Sequence, residues 1–199
     1  MLVTTILYDL GGTLIGFDSE RTYTALAGRT GRPVDDVRRI VDARYDEFCR
    51  GRITAAAWRS YLAEALGTDL PEEGFRALWA DIFWPNAPMV ALARRLRPRY
   101  RQYMLSNTDE IHLSWCREKF ALDTLVDGMI LSYEVGATKP DRRIYKRGLA
   151  RFGLAAAECV FIDDVLVNLD GARACGIRGI LATSADAVER GLGVLGVKA

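Results

Sequence analysis

An apolar run, Leu2-Val3-Thr4-Thr5-Ile6-Leu7-Tyr8, leads directly into Asp9-Leu10-Gly11-Gly12-Thr13. Residues 2 to 8 read as a buried strand. Its end delivers one carboxylate into a glycine-rich turn, where the backbone can approach a phosphate or a metal closely. That is how a chain presents a nucleophile. Two residues further on, a second carboxylate would be a natural acid or base, but the chain has Gly11 there.

The 199 residues give room for one large domain or a domain with a modest insertion. Lys plus Arg total 27 against 26 for Asp plus Glu. No global field therefore draws nucleic acid or an anionic membrane, and neither is expected as a partner. A local anion site stays open. Cys49, Cys116, Cys159 and Cys175 are scattered, with no C-x-x-C pair and no histidine cluster, as expected of free thiols in a reducing compartment. No apolar run approaches the ~20 residues of a membrane span. The first basic residue is Arg21, unlike the charged start of a signal peptide. The expected location is cytoplasmic. The oligomeric state has no signature.

From Phe17 to Trp84 the apolar spacing is helical. Ser19 is a candidate cap for a first helix carrying Tyr23 and Leu26. Pro33 and Asp35-Asp36 open a second, with Val37, Ile40, Val41 and Tyr45 on one face. Thr54 is a candidate cap for a third, with Trp58, Tyr61, Leu62, Ala65 and Leu66 before Gly67. Pro71-Glu72-Glu73 starts a fourth, carrying Phe75, Leu78, Trp79 and Ile82. Four helices with short connections suggest a small bundle. After a break at Pro85 and Pro88 the pattern alternates. Helices are expected at Met89–Leu96, Glu110–Phe120, Arg142–Phe152 and Leu166–Cys175, with Ser184 capping a last one. Strands are expected at Tyr100–Leu105, Gly128–Leu131, Cys159–Ile162 and Arg178–Leu181. Alternation of this kind predicts an α/β fold with a doubly wound parallel sheet. The domains expected are a core of 1–16 and 85–199 and a helical cap of 17–84.

In such sheets ligands bind outside the carboxyl ends of the strands, near the point where strand order reverses. Asp9 follows the first strand, Ser106-Asn107-Thr108 the next, and Asp163-Asp164 the one ending at Ile162. Lys139-Pro140 follows the Gly128–Leu131 strand after a loop. One topological rule thus gathers carboxylates, a hydroxyl and a lysine at one edge. Taken singly, each is ordinary: a turn former, a helix cap, a solvated lysine. Adjacent carboxylates after an apolar strand repel unless a cation neutralises them.

Asp9-Leu10-Gly11-Gly12-Thr13, Leu105-Ser106-Asn107-Thr108, Lys139-Pro140 and Phe161-Ile162-Asp163-Asp164, in that order, resemble the four motifs of the haloacid dehalogenase-like hydrolase superfamily. With Asn168, Gly171, Ala172 and Gly176-Ile177 behind them, they look most like a phosphatase subgroup that includes sugar-phosphate phosphatases. The resemblance spans essentially the whole chain. It implies a Rossmann-like core with a small helical cap, and a phosphatase of small phosphorylated metabolites. Asp9 would attack phosphorus to give an aspartyl-phosphate. Mg2+ would be held by Asp9, the Gly11 carbonyl, Asp163 and Asp164. Lys139 and Ser106 would serve catalysis, and Gly12, Thr13, Ser106, Asn107 and Lys139 would bind the phosphate.

In many members of that family the aspartate two after the nucleophile handles the protons, a task typically worth about 10²–10⁴-fold in rate. Gly11 keeps the carbonyl for a metal but not that side chain. A less demanding leaving group, a cap residue or a water would have to substitute. Two other readings stay open. A haloacid dehalogenase needs neither metal nor leaving-group acid, although Asp163-Asp164 opposes its anionic substrate. A non-catalytic binding protein on the same fold is the other. Asn168 is expected to support the site, Thr108 or Asp109 to cap a helix, and His112 to lie at the surface or act as a cap, with a place near the site mouth as the alternative. Asp18, Arg44, Tyr45 and Phe48 are candidate substrate-facing residues of the cap.

Overall fold

The computed structural model describes residues 2–198. In chain order they form β1 (Thr5–Tyr8), β2 (Ile15–Phe17), α1 (Glu20–Thr30), α2 (Val34–Cys49), α3 (Ala55–Leu66), α4 (Glu72–Ala80), β3 (Phe83–Pro85), α5 (Ala87–Leu96), β4 (Arg101–Ser106) and α6 (Glu110–Phe120). Then follow β5 (Gly128–Leu131), α7 (Ser132–Val135), α8 (Arg142–Arg151), β6 (Cys159–Asp163), α9 (Leu166–Arg173), β7 (Arg178–Leu181) and α10 (Ala185–Val194).

Five strands make one parallel sheet in the order β5-β4-β1-β6-β7. The apolar β1 is buried along its whole length because both sheet faces are covered. Ile6 and Tyr8 pack with α5, α6 and α10 on one face. Leu7 packs with α8 and α9 on the other. The chain leaves β1 for β4 and β5 on one side and returns to β6 and β7 on the other, so strand order reverses at β1. Tyr8 is level with Met104 on β4 and Ile162 on β6. Asp9 and Asp163, each one residue past Tyr8 and Ile162, therefore emerge side by side at that switch point.

The helices α1–α4 stand between β2 and β3, which pair antiparallel as a separate two-stranded ribbon. This ribbon is absent from the sequence expectation. The expected boundaries at 16/17 and 84/85 fall inside its two strands. The helical block has its own core, built around Trp58, which stacks on Phe48 at 5.3 Å and meets Trp79 edge-on at 5.3 Å. Such aromatic pairs add roughly 0.5–1.5 kcal/mol each beyond their burial. Ile111 of α6 belongs to the same cluster and Trp115 packs against it, so α6 carries the block on the sheet.

Several element ends differ from the pattern read in the sequence. Helix α5 starts at Ala87, with Pro88 in its first turn, where the missing N–H has no helical partner to lose. The second sheet strand in the chain runs from Arg101 to Ser106, one residue later than expected. Helices α8 and α9 stop at Arg151 and Arg173, short of Phe152 and Cys175. The Ser19 hydroxyl does not cap α1; the Asp18 carboxylate accepts from the Glu20 N–H at 3.0 Å instead. Helix α4 is interrupted at Glu73 and Gly74, and Ile82 lies beyond its end. Thr54 and Ser184 do cap α3 and α10. Among the described residues no helix is long and apolar enough to cross a membrane.

Candidate active site

The turn after β1 folds tightly because the Leu10 carbonyl accepts from both the Leu14 and Ile15 N–H groups, at 2.9 and 3.0 Å. Gly12 sits at φ +80°, and a side chain there would collide with the Asp164 carboxylate, 2.2 Å from the place of its Cβ. Glycine is thus required both by the backbone conformation and by the close approach of Asp164.

Lys139 is buried between two carboxylates. Its Nζ lies 2.7 Å from Asp9 Oδ1 and 2.7 Å from Asp163 Oδ2. The loop that brings it there is clamped by Asn107, whose side chain accepts from the Lys139 N–H at 2.7 Å and donates to the Lys139 carbonyl at 3.1 Å. Asn168 on α9 donates to both oxygens of Asp163 at 3.1 Å, and the Val165 N–H donates to Oδ1 at 2.7 Å. Asp163 is thereby fixed in orientation, and Asn168 has the supporting place expected of it.

Carboxylate oxygens of Asp9, Asp163 and Asp164 lie within 4.8 Å of one another. With all three ionised, the single ammonium of Lys139 leaves two negative charges uncompensated. Burial pushes the Asp9 carboxyl up to about 6; Lys139 opposes this rise and Asp163 adds to it. Burial and the neighbouring Asp163 raise Asp164 as well. A hard, oxygen-only donor set with excess negative charge fits a divalent cation such as Mg2+.

Ser106 ends β4 with its side chain buried, in the wall of a cavity of about 210 Å³ that also touches Leu10, Gly11 and Asn107. Thr13 is fully buried, and its hydroxyl has no hydrogen-bond partner among the described residues. Its carbonyl accepts from the Asn86 side chain at 2.9 Å. At Gly11 the Phe17 ring of β2 lies 3.1 Å from where a Cβ would sit, so a side chain there would need the ring to give by a few tenths of an ångström.

His112 is not a surface residue. It is buried, stacked on the Trp79 ring at 5.3 Å, and lines the same cavity. Its Nδ1 is 2.8 Å from Asp109 Oδ2 and its Nε2 is 3.0 Å from the Trp79 carbonyl oxygen. The carbonyl only accepts, and so does an ionised carboxylate. The ring therefore donates its Nε2–H to the Trp79 carbonyl and turns Nδ1 toward Asp109. Asp109 also caps α6, accepting from the Ile111 and His112 N–H groups at 2.9 Å, and accepts from Tyr45 Oη at 3.2 Å and Trp79 Nε1 at 3.3 Å. Burial opposes its ionisation, but His112 and these donors together hold its carboxyl below the ordinary value. One buried carboxylate thus ties α2 and α4 to α6.

Of the candidate residues on the helical block, Tyr45 faces the cavity. Phe48 lies in the block's own core. Arg44 pairs with Glu47 and covers the Tyr61 ring, and Asp18 sits at the start of α1. Phe17, Trp79, Ile82 and Phe83 were not anticipated as cavity wall. The signal for two of them lay in the matching apolar segments Ile15-Gly16-Phe17 and Phe83-Trp84-Pro85 at either end of the helical block.

A sequence model of the family described as haloacid dehalogenase-like hydrolase matches residues 3–176. A D-ribitol-5-phosphate phosphatase of Bacteroides thetaiotaomicron is 26% identical over 178 residues, covering 84% of this chain and 86% of that protein. A sesquiterpene phosphatase of Aspergillus oryzae is 28% identical over 182 residues, covering 89% and 88%. Among solved structures, a HAD family enzyme of Bacteroides thetaiotaomicron in complex with magnesium and inorganic phosphate is similar at a TM-score of 0.82. It is 27% identical, covering 90% of this chain and 93% of that one.

Proposed function

The chain belongs to the haloacid dehalogenase-like hydrolases, and from that premise we propose a magnesium-dependent phosphatase of small phosphorylated metabolites acting through an aspartyl-phosphate on Asp9. The observation that carries the proposal is the buried Lys139 ammonium held between Asp9 and Asp163, beside a third carboxylate.

Phosphate monoesters resist attack because their oxygens repel a nucleophile, so the site must neutralise charge and hold the nucleophile in line. Asp9, the Gly11 carbonyl, Asp163 and Asp164 would hold Mg2+, which when bound supplies charge neutralisation at the phosphoryl oxygens. Lys139 orients the Asp9 carboxylate and stabilises the phosphoryl oxygens as a point charge. Ser106 Oγ and the Asn107 N–H donate to the same group. An Asp9 oxygen bonds to phosphorus as the bond to the alcohol oxygen breaks. Water then attacks the acyl phosphate, releasing phosphate and restoring Asp9. Both nitrogens of His112 are engaged within the protein. The leaving oxygen therefore takes its proton from water, and the enzyme favours leaving groups that need little help. Residues 17–84 act as a cap over the edge, and the four free cysteines support a cytoplasmic location.

Sugar phosphates are the first class to assay, as the sequence resemblance suggests and the ribitol phosphatase relative illustrates. Phosphate release from acetyl phosphate and a metabolite panel should require Mg2+, stop with a chelator, and vanish in Asp9→Asn. Chelator-resistant halide release from L-2-haloacids would replace this reading with a dehalogenase. A folded protein silent on both panels would overturn it.

A further inference from the structure

We propose that the cavity beside Asp9 selects a phosphate ester whose alcohol half is apolar, a hydrocarbon rather than a polyol. The inference rests on the phosphatase reading and concerns the part of the substrate that the phosphoryl site does not hold.

The cavity of about 210 Å³ opens between the helical block and the strand ends, sharing Leu10, Gly11 and Ser106 with the phosphoryl site. A phosphate against Ser106 therefore directs its alcohol into this space. The wall is made by Phe17, Val41, Trp79, Ile82 and Phe83. No lysine, arginine, aspartate or glutamate is among its lining residues.

Polar groups do line the cavity, but most of their donors are spent on the protein. Thr22 Oγ1 donates to the Trp79 carbonyl at 3.2 Å. Tyr45 Oη donates to Asp109 at 3.2 Å, and the ring nitrogens of His112 face Asp109 and the Trp79 carbonyl. Thr108 Oγ1 is turned to the Asp109 carbonyl at 3.4 Å, and the Tyr23 hydroxyl donates to Asp42 at 3.5 Å. The Asn107 amide is committed to the Lys139 loop. Ser19 Oγ and Ser106 Oγ are the hydroxyls left over among the lining residues, and Ser106 sits at the phosphoryl end. Hydroxyls of a sugar or polyol would leave water for aromatic faces and donors already engaged. Each stranded hydroxyl costs roughly tenfold or more in kcat/KM. A hydrocarbon gains from the same wall. The Phe17 ring, 3.1 Å from where a Gly11 Cβ would sit, extends the apolar surface to the reacting end.

A ladder of straight-chain alkyl monophosphates tests this, run beside ribitol 5-phosphate, with acetyl phosphate reporting the phosphoryl site alone. Burial of each methylene is worth about 0.8 kcal/mol, so kcat/KM should climb roughly fourfold per methylene until the cavity is filled. The best alkyl ester should exceed ribitol 5-phosphate by more than tenfold. Ile82→Ser, in the wall and away from the phosphoryl site, should flatten the ladder and leave acetyl phosphate turnover unchanged. A flat wild-type ladder, or ribitol 5-phosphate turned over as well as the alkyl ester of equal length, overturns the apolar pocket and leaves the phosphatase standing. No turnover of acetyl phosphate overturns both.

Discussion

At the scale of single residues, Gly11 shapes the chemistry most. The sequence showed that a carboxylate was missing there; it could not show what occupies the space. Phe17 crowds it from the neighbouring ribbon, so Gly11→Asp alone must shift an aromatic ring by a few tenths of an ångström. We expect that variant to gain little or lose activity. Gly11→Asp combined with Phe17→Ala opens room for the carboxylate and should raise kcat on esters of high-pKa alcohols by about 10²-fold, the lower range for positioned acid–base catalysis. Steady-state kinetics across a leaving-group series checks this. Gains confined to poor leaving groups fit the account; no difference between the single and double variants would count against it. Asp9 and Asp163 were readable because strand ends gather them whatever the details between, whereas Lys139 lies on a loop beyond α7. Lys139 touching both carboxylates at once required the fold.

Among the elements, α6 bears the most weight. Its N-terminal carboxylate, Asp109, caps the helix, pairs with His112, and receives donors from α2 and α4. A cap at Thr108 or Asp109 was legible from their place before the helix, and the structure gives it to Asp109. The burial of His112 was not, because its partners Tyr45 and Trp79 lie 67 and 33 residues away in the chain. A lone histidine on a helix carries no mark of such contacts. We expect Asp109→Asn to cost about 1.5–3 kcal/mol at neutral pH, the range for a hydrogen bond to a charged group. The Asp109 carboxyl is held below its ordinary value of 3.8. Its contribution is therefore complete above pH 3.8 and is lost as pH falls from there through the lower folded value. Urea midpoints should show the full deficit of the variant at pH 7 and a smaller one at pH 3. A deficit independent of pH would mean that the charge at Asp109 contributes nothing.

For the whole molecule, strand–helix alternation carried the parallel sheet, and the sheet carried the site. Reversal of strand order at β1 opens the crevice there, and the polar residues after β1, β4 and β6 fall into it. The β2–β3 ribbon escaped the sequence pattern because each strand has three residues and its partner lies beyond the entire helical block. The cavity escaped with it, since that ribbon and the block together build its wall. The central claim is that Asp9 accepts the phosphoryl group. Acid quench of the protein turning over acetyl phosphate with Mg2+, followed by borohydride reduction, converts an acyl phosphate to a primary alcohol that peptide mass spectrometry can place. Reduction at residue 9 during turnover, and none in protein kept without substrate, is the expected result. Phosphate release without any reduction at residue 9, or undiminished release by Asp9→Asn, would contradict the account.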